Sequence, residues 1–170
     1  MKVLFLPDYS AANAYQRALT RGLGELGVEV SADPTGSRRI LPITAALARH
    51  GRPDVVHVHW TEPYIAGSSS KVSRVKARRT LTELRLAKRA GCGLVWTAHD
   101  LFRHDRKEDP NELAFMRSLF ALCDAVIVHC AAASEALLQT LGVGPEGHEK
   151  IAIIPHGHYQ GAYPDTVTRE

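Results

Sequence analysis

Six short apolar bursts recur along the chain, and a stretch with helical spacing follows each of the first five. The bursts are 2–7 (KVLFLP), 28–32 (VEVSA), 54–59 (DVVHVH), 92–99 (CGLVWTAH), 124–130 (DAVIVHC) and 150–157 (KIAIIPHG). Most are continuous runs rather than alternations of apolar and polar residues. A strand with one wet face alternates, whereas a strand covered on both faces has no need to. Buried strands in strict turn with helices predict an α/β fold. The expected form is a Rossmann-like, doubly wound parallel sheet with helices on both faces and right-handed crossovers.

The helices follow from caps and spacing. One is expected from 11 to 27, with Ser10 as its N-cap, an apolar stripe of Tyr15, Leu19, Leu23 and Leu26, and Gly27 as its stop. The next covers 41–50 with Pro42 in its first turn. A long one starts at Ser68, Ser69 or Ser70 and runs to about Ala90. Two more cover 110–123 and 132–142. Residues 1–158 read as one domain and 159–170 as a linker or tail.

Composition narrows the class. The chain has 170 residues, 45% of them hydrophobic, which suits a single packed core. A net charge of +3 is too small to argue for nucleic acid, and no such partner is expected. The three cysteines, Cys92, Cys123 and Cys130, lack C-x-x-C spacing and read as buried reduced thiols of a cytoplasmic protein. The opening MKVLFLPDYS is too short for a signal peptide, and no apolar run reaches the roughly 18 residues of a membrane span.

In an open α/β sheet, ligands bind beyond the carboxyl ends of the strands. The unusual polar residues concentrate there: Ser10, Asn13 and Gln16 after the first strand, and His59, Trp60 and Glu62 after the third. His99, Asp100 and His104 follow the fourth, His129 and Ser134 the fifth, and His156 the sixth. This placement makes Ser10, Asn13 and Gln16 candidates for contacting an anion or a sugar at a helix N-terminus, although no glycine-rich fingerprint or P-loop lysine accompanies them. Ser10 as a plain cap and Asn13 as a solvated side chain are the competing readings. His99 and Asp100 are the candidate catalytic pair, with His99 as acid, base or hydrogen-bond donor to a hydroxyl or phosphate. Packing of His99 and loop capping by Asp100 stand against that. His57 and His59 share one side of their strand. They are either an H-x-H metal pair completed by His99 or Asp100, or hydrogen-bonded core histidines, and no metal is expected.

The segment 71–89 carries Lys71, Arg74, Lys76, Arg78, Arg79, Arg85, Lys88 and Arg89 against Glu83 alone. Ala77, Leu81, Leu84 and Ala87 face the core at 100° per residue. Lys71, Arg74, Arg78, Arg85 and Arg89 form an outward basic face beside Val72, Val75 and Leu86. Such a face is either an ordinary solvated surface or a seat on anionic lipid, which would place the protein at the inner face of the plasma membrane.

The stretches DVVHVHW, GLVWTAHD, CDAVIVHCAAASEAL and KIAIIPHG, in that order, resemble the N-terminal, acceptor-side domain of a GT-B glycosyltransferase, closest to the family-4 retaining enzymes. The opening PDYSAANAYQ is similar to a subset with Asn-Pro-Tyr-Gln there, Ala14 standing for the proline, and the usual glycine pair is missing. The resemblance implies one of two Rossmann-like domains facing across a cleft. The second, a C-terminal domain or separate subunit outside these residues, binds the donor through two spaced glutamates. The nucleotide-sugar is then a co-substrate and no cofactor is implied. The acceptor is a glycan, lipid-linked or small molecule. His99 matches the T-x-H position that faces the reacting sugar, and the loop from Asp8 to Gln16 lies near the donor phosphates. The implied acceptor pocket is shaped by His59, Trp60, Glu62 and His104, with Trp60 stacking on a sugar ring. Ser134 and Glu135 match a serine-glutamate pair that caps the next helix. A non-enzymatic binding module, and a metal hydrolase on His57, His59, His99 and Asp100, are the rival readings.

Overall fold

A computed structural model describes residues 1–34, 39–100, 110–159 and 161–163. Its strands are β1 (Lys2–Leu6), β2 (Glu29–Ala32), β3 (Val55–Val58), β4 (Gly93–Thr97), β5 (Ala125–Val128) and β6 (Ile151–Ile153). Its helices are α1 (Ala14–Glu25), α2 (Pro42–His50), α3 (Glu62–Ile65), α4 (Ser70–Arg89), α5 (Pro110–Leu122) and α6 (Ala131–Leu141), with a 3-10 helix at Pro145–Lys150. All six strands are parallel, in the order β2-β1-β3-β4-β5-β6. The Rossmann-like α/β sheet expected from the apolar bursts is present. The chain leaves β1 to one side for β2, then returns to β1's other flank for β3. The switch in winding direction therefore lies between β1 and β3, where open sheets place their ligands.

The pleat gives the sheet two different faces. Register aligns Leu4 with Val56 and Leu94, and Leu6 with Val58, Trp96 and then Val126. All eight members of this apolar face, counting Val128, are buried. The opposite face carries Phe5 beside His57, and then Thr97 beside Ile127. α4 packs against α2, α3 and α5. Its residues Ala77, Leu81, Leu84 and Ala87 are buried, as the helical spacing predicts. Glu83 is not part of the charged surface. It is 1% exposed and accepts from the Thr44 amide in the first turn of α2 (2.8 Å), where a carboxylate meets free backbone N–H groups.

Several local expectations need correction. α1 begins four residues after Ser10, because Asn13 is the N-cap and accepts from the amides of Tyr15 and Gln16. Ser10 instead turns back on Asp8, whose Oδ1 accepts from both its amide (2.9 Å) and its hydroxyl (2.6 Å). Leu26 lies outside the packed stripe and is exposed. α6 is preceded by Cys130, not by a serine cap. Ser134 is buried within its first turn, and Glu135 pairs with His148 (3.0 Å). The thiols do not share one environment, since Cys92 and Cys123 are buried and Cys130 is exposed.

That last contrast yields a prediction. Burial raises the Cys92 thiol pKa and pushes Cys123 up to about 12. In the native chain one thiol equivalent, Cys130, reacts rapidly with an aromatic disulfide reagent, and the other two react only on unfolding. Three fast equivalents in the folded protein, or none, contradict the packing described.

Candidate functional site

Alternation along β3, β4 and β5 sends His57, Thr97 and Ile127 to the same sheet face, and one repeat further on brings His59, His99 and His129. The result is a column of imidazoles running to the carboxyl rim. His57 stacks on His59 with ring centroids 4.1 Å apart, and His59 lies 5.9 Å from His99. The His99 Nδ1 lies 3.2 Å from the His129 Nε2, and the His129 Nδ1 lies 2.9 Å from the Ile154 carbonyl oxygen. His156 continues the column 4.8 Å from His129, with its Nε2 hydrogen-bonded to the Tyr159 hydroxyl at 2.9 Å.

Aromatic rings hold this column in place. Trp60 lies flat on His99, with centroids 4.8 Å apart and an 8° interplanar angle. Tyr15, from the first turn of α1, meets His99 edge-to-face at 4.9 Å and also reaches His59, His129 and His156. Tyr9 lies 5.2 Å from Trp60. Such ring pairs fix orientation as well as burying area. Trp60 and His99 thus meet at one rim, beside the α1 N-terminus that Asn13 caps.

The other expected site residues divide. His59 is 1% exposed, so it lies beneath the rim and not on a pocket wall; it fills the space between Phe5 (4.5 Å) and His57. Gln16 is fully buried, its Nε2 donating to the Pro7 carbonyl (2.8 Å) and its Oε1 accepting from the Tyr9 amide (2.6 Å). It fastens the loop after β1 and does not face a ligand. Asn13 spends its side-chain oxygen on capping α1. Ser10 is half-buried and bound to Asp8. Glu62 opens α3 and, like Asp100, is exposed. One face of Trp60 is already covered by His99, which leaves less of the indole for a sugar ring. His104 lies outside the described residues. Reading the sequence undervalued Tyr15 and His129. Tyr15 looks like one more apolar stripe member, and only its place as the second residue of α1, at the rim, hints otherwise.

The metal pair takes a different form. His57 Nε2 is hydrogen-bonded to the Thr97 hydroxyl at 2.8 Å, as a satisfied core histidine would be. Among the described residues no group of three His, Cys, Asp or Glu side chains is placed to hold an ion. Among the described residues, His59 has no hydrogen-bond partner on either ring nitrogen, and neither does His99 on Nε2.

Electrostatics keep His57, His59 and His99 neutral. Burial, with His99 nearby, lowers His57 to about 3. Burial, then the charges of His57, His99 and His129, lowers His59 to about 2. Burial, then His129 and His156, lowers His99 to about 4. In the unfolded chain these groups take up protons near pH 6.5, well before they do so when folded. The unfolded state therefore gains protons first as pH falls, and stability declines below about 6.5. Urea unfolding between pH 6 and 5 should show a loss steeper than roughly 1.4 kcal/mol per pH unit, the slope for one proton. A flat profile across that interval contradicts neutral, buried His57, His59 and His99.

A comparison with known proteins bears on what this rim does. No curated protein matches the chain. The model of Glycosyltransferase Family 4 matches residues 4–158, from within β1 to beyond the end of β6. With its parallel sheet and its rim at the strand ends, the chain belongs to glycosyltransferase family 4 and is a glycosyl-transfer domain.

Proposed function

We propose that the chain is the acceptor-side domain, residues 1–158, of a retaining enzyme that moves a sugar from a nucleotide-sugar donor to a glycan, lipid-linked or small-molecule acceptor. A second α/β domain or a separate subunit holds the nucleotide. His99 contacts the transferred sugar or the acceptor, Asp100 stands beside it, and Trp60 and Glu62 border the acceptor. The observation that carries this reading is the His99 ring, clamped at the strand rim between Trp60 and Tyr15 in a family-4 domain. Clamping suits a group that must meet developing charge without reorganising.

The test is turnover of the enzyme with its donor-binding partner supplied, across a panel of nucleotide-sugars, following nucleoside diphosphate release and product anomer. His99→Ala should lower kcat/KM by roughly a hundredfold, the scale of one lost transition-state hydrogen bond. Wild-type turnover by that variant defeats the assignment of His99, and an inverted product anomer defeats retention.

The outer face of α4 supports a lipid-surface contact. Lys71, Arg74, Arg78, Arg85 and Arg89 are exposed, as are Val72, Val75 and Leu86, and a shallow groove runs between Arg85, Lys88, Arg89 and Leu122. Among the described residues no helix is long and apolar enough to cross a membrane. Basic side chains near an anionic surface contribute about 1 kcal/mol each. Arg78→Glu with Arg85→Glu should weaken partition onto phosphatidylglycerol-containing vesicles by roughly tenfold or more. Equal sedimentation of variant and wild type removes the membrane from the proposal.

A further inference from the structure

The hydrogen bonds of the histidine column leave one tautomer for His99. A carbonyl oxygen only accepts, so the 2.9 Å contact to Ile154 requires the hydrogen of His129 on Nδ1. The Nε2 of a neutral His129 is then bare and accepts. The 3.2 Å contact from His99 Nδ1 to that atom places the hydrogen of His99 on Nδ1. The opposite polarity requires a second proton on His129, and among the described residues no carboxylate pairs with it.

We propose that His129 is a positioning residue that locks His99 as its Nδ1–H tautomer, so that His99 meets the ligand with a bare, accepting Nε2. The inference rests on the reading of His99 as the sugar-facing residue and sharpens it. The Nε2 atom is buried in the unliganded chain and has no hydrogen-bond partner among the described residues, so a ligand hydroxyl bonds to it by displacing what covers it. An acceptor left in that state is unfavourable, and a matching donor relieves it. Trp60 and Tyr15 fix the ring plane, so the lone pair has one direction. A bare lone pair attracts the hydrogen of a neutral sugar hydroxyl and repels an oxygen of an ionised phosphate. The ligand group at His99 is therefore a hydroxyl, with the diphosphate held elsewhere. Desolvation and the adjacent rings keep His99 neutral at physiological pH, which preserves this polarity.

The test is long-range nitrogen–proton NMR on the histidine-labelled chain, without ligand, at neutral pH. The wild type should show His99 protonated on Nδ1 and bare on Nε2. His129→Gln, whose amide oxygen replaces the accepting nitrogen, should keep that pattern. His129→Phe, which offers no acceptor, should shift His99 to the Nε2–H form. Sulfate, an oxyanion with no hydrogen to give, should leave the His99 Nε2 signal in place. A wild-type His99 protonated on Nε2, an unchanged tautomer in His129→Phe, or conversion of His99 by sulfate overturns the proposal. These readouts need no sugar transfer, so their failure is distinct from the failure of His99→Ala to impair turnover.

Discussion

The two-residue period of the strands is the constraint on which the site depends. Because β3, β4 and β5 are parallel and in register, His57, His59, Thr97, His99 and His129 come to one side of the sheet, and Val56, Val58, Trp96 and Val126 go to the other. A register slip of one residue in β4 would send His99 into the apolar layer and Trp96 to the rim face. The apolar layer blocks that slip, since Leu6, Val58, Trp96 and Val126 form a continuous buried row. Packing on one face thus holds the polar geometry of the other.

The column carries a cost at its inner end. His59 buries two ring nitrogens without partners among the described residues, while His57 beside it is bonded to Thr97. A neutral imidazole in that setting forgoes hydrogen bonds it would make in water. Its rings contact Phe5, Tyr15, His57 and Trp60, so it serves as a flat spacer that supports Trp60 and, through it, His99. Polar residues in such unrewarded positions are more common under functional sites than elsewhere.

The sheet was legible in the sequence because buried parallel strands leave continuous apolar runs such as VLFL and VIV. The inner face of α4 was legible because Ala77, Leu81, Leu84 and Ala87 repeat at helical spacing over several turns. What escaped was short or doubly determined. α3 has four residues and shows no period, and the 3-10 turn at Pro145–Lys150 shows none either. Ser10 and Asn13 are both good caps, and the choice rests on the contact of Ser10 with Asp8, which sequence spacing alone does not decide. Gln16 looked outward by its chemistry, yet its amide is absorbed by two backbone groups of the loop before it. His129 stood on the expected rim, but its partner, the Ile154 carbonyl, sits 25 residues away on a separate strand connection.

The Gln16 clasp has a consequence for how a ligand arrives. By holding Pro7 and Tyr9 to the first turn of α1, it sets the approach to Trp60 before anything binds. A guest of the proposed kind would find a finished threshold at that edge and give up little affinity to the freezing of a loose flap. On the proposed reading, recognition there is a matter of shape and of which hydroxyls the guest carries.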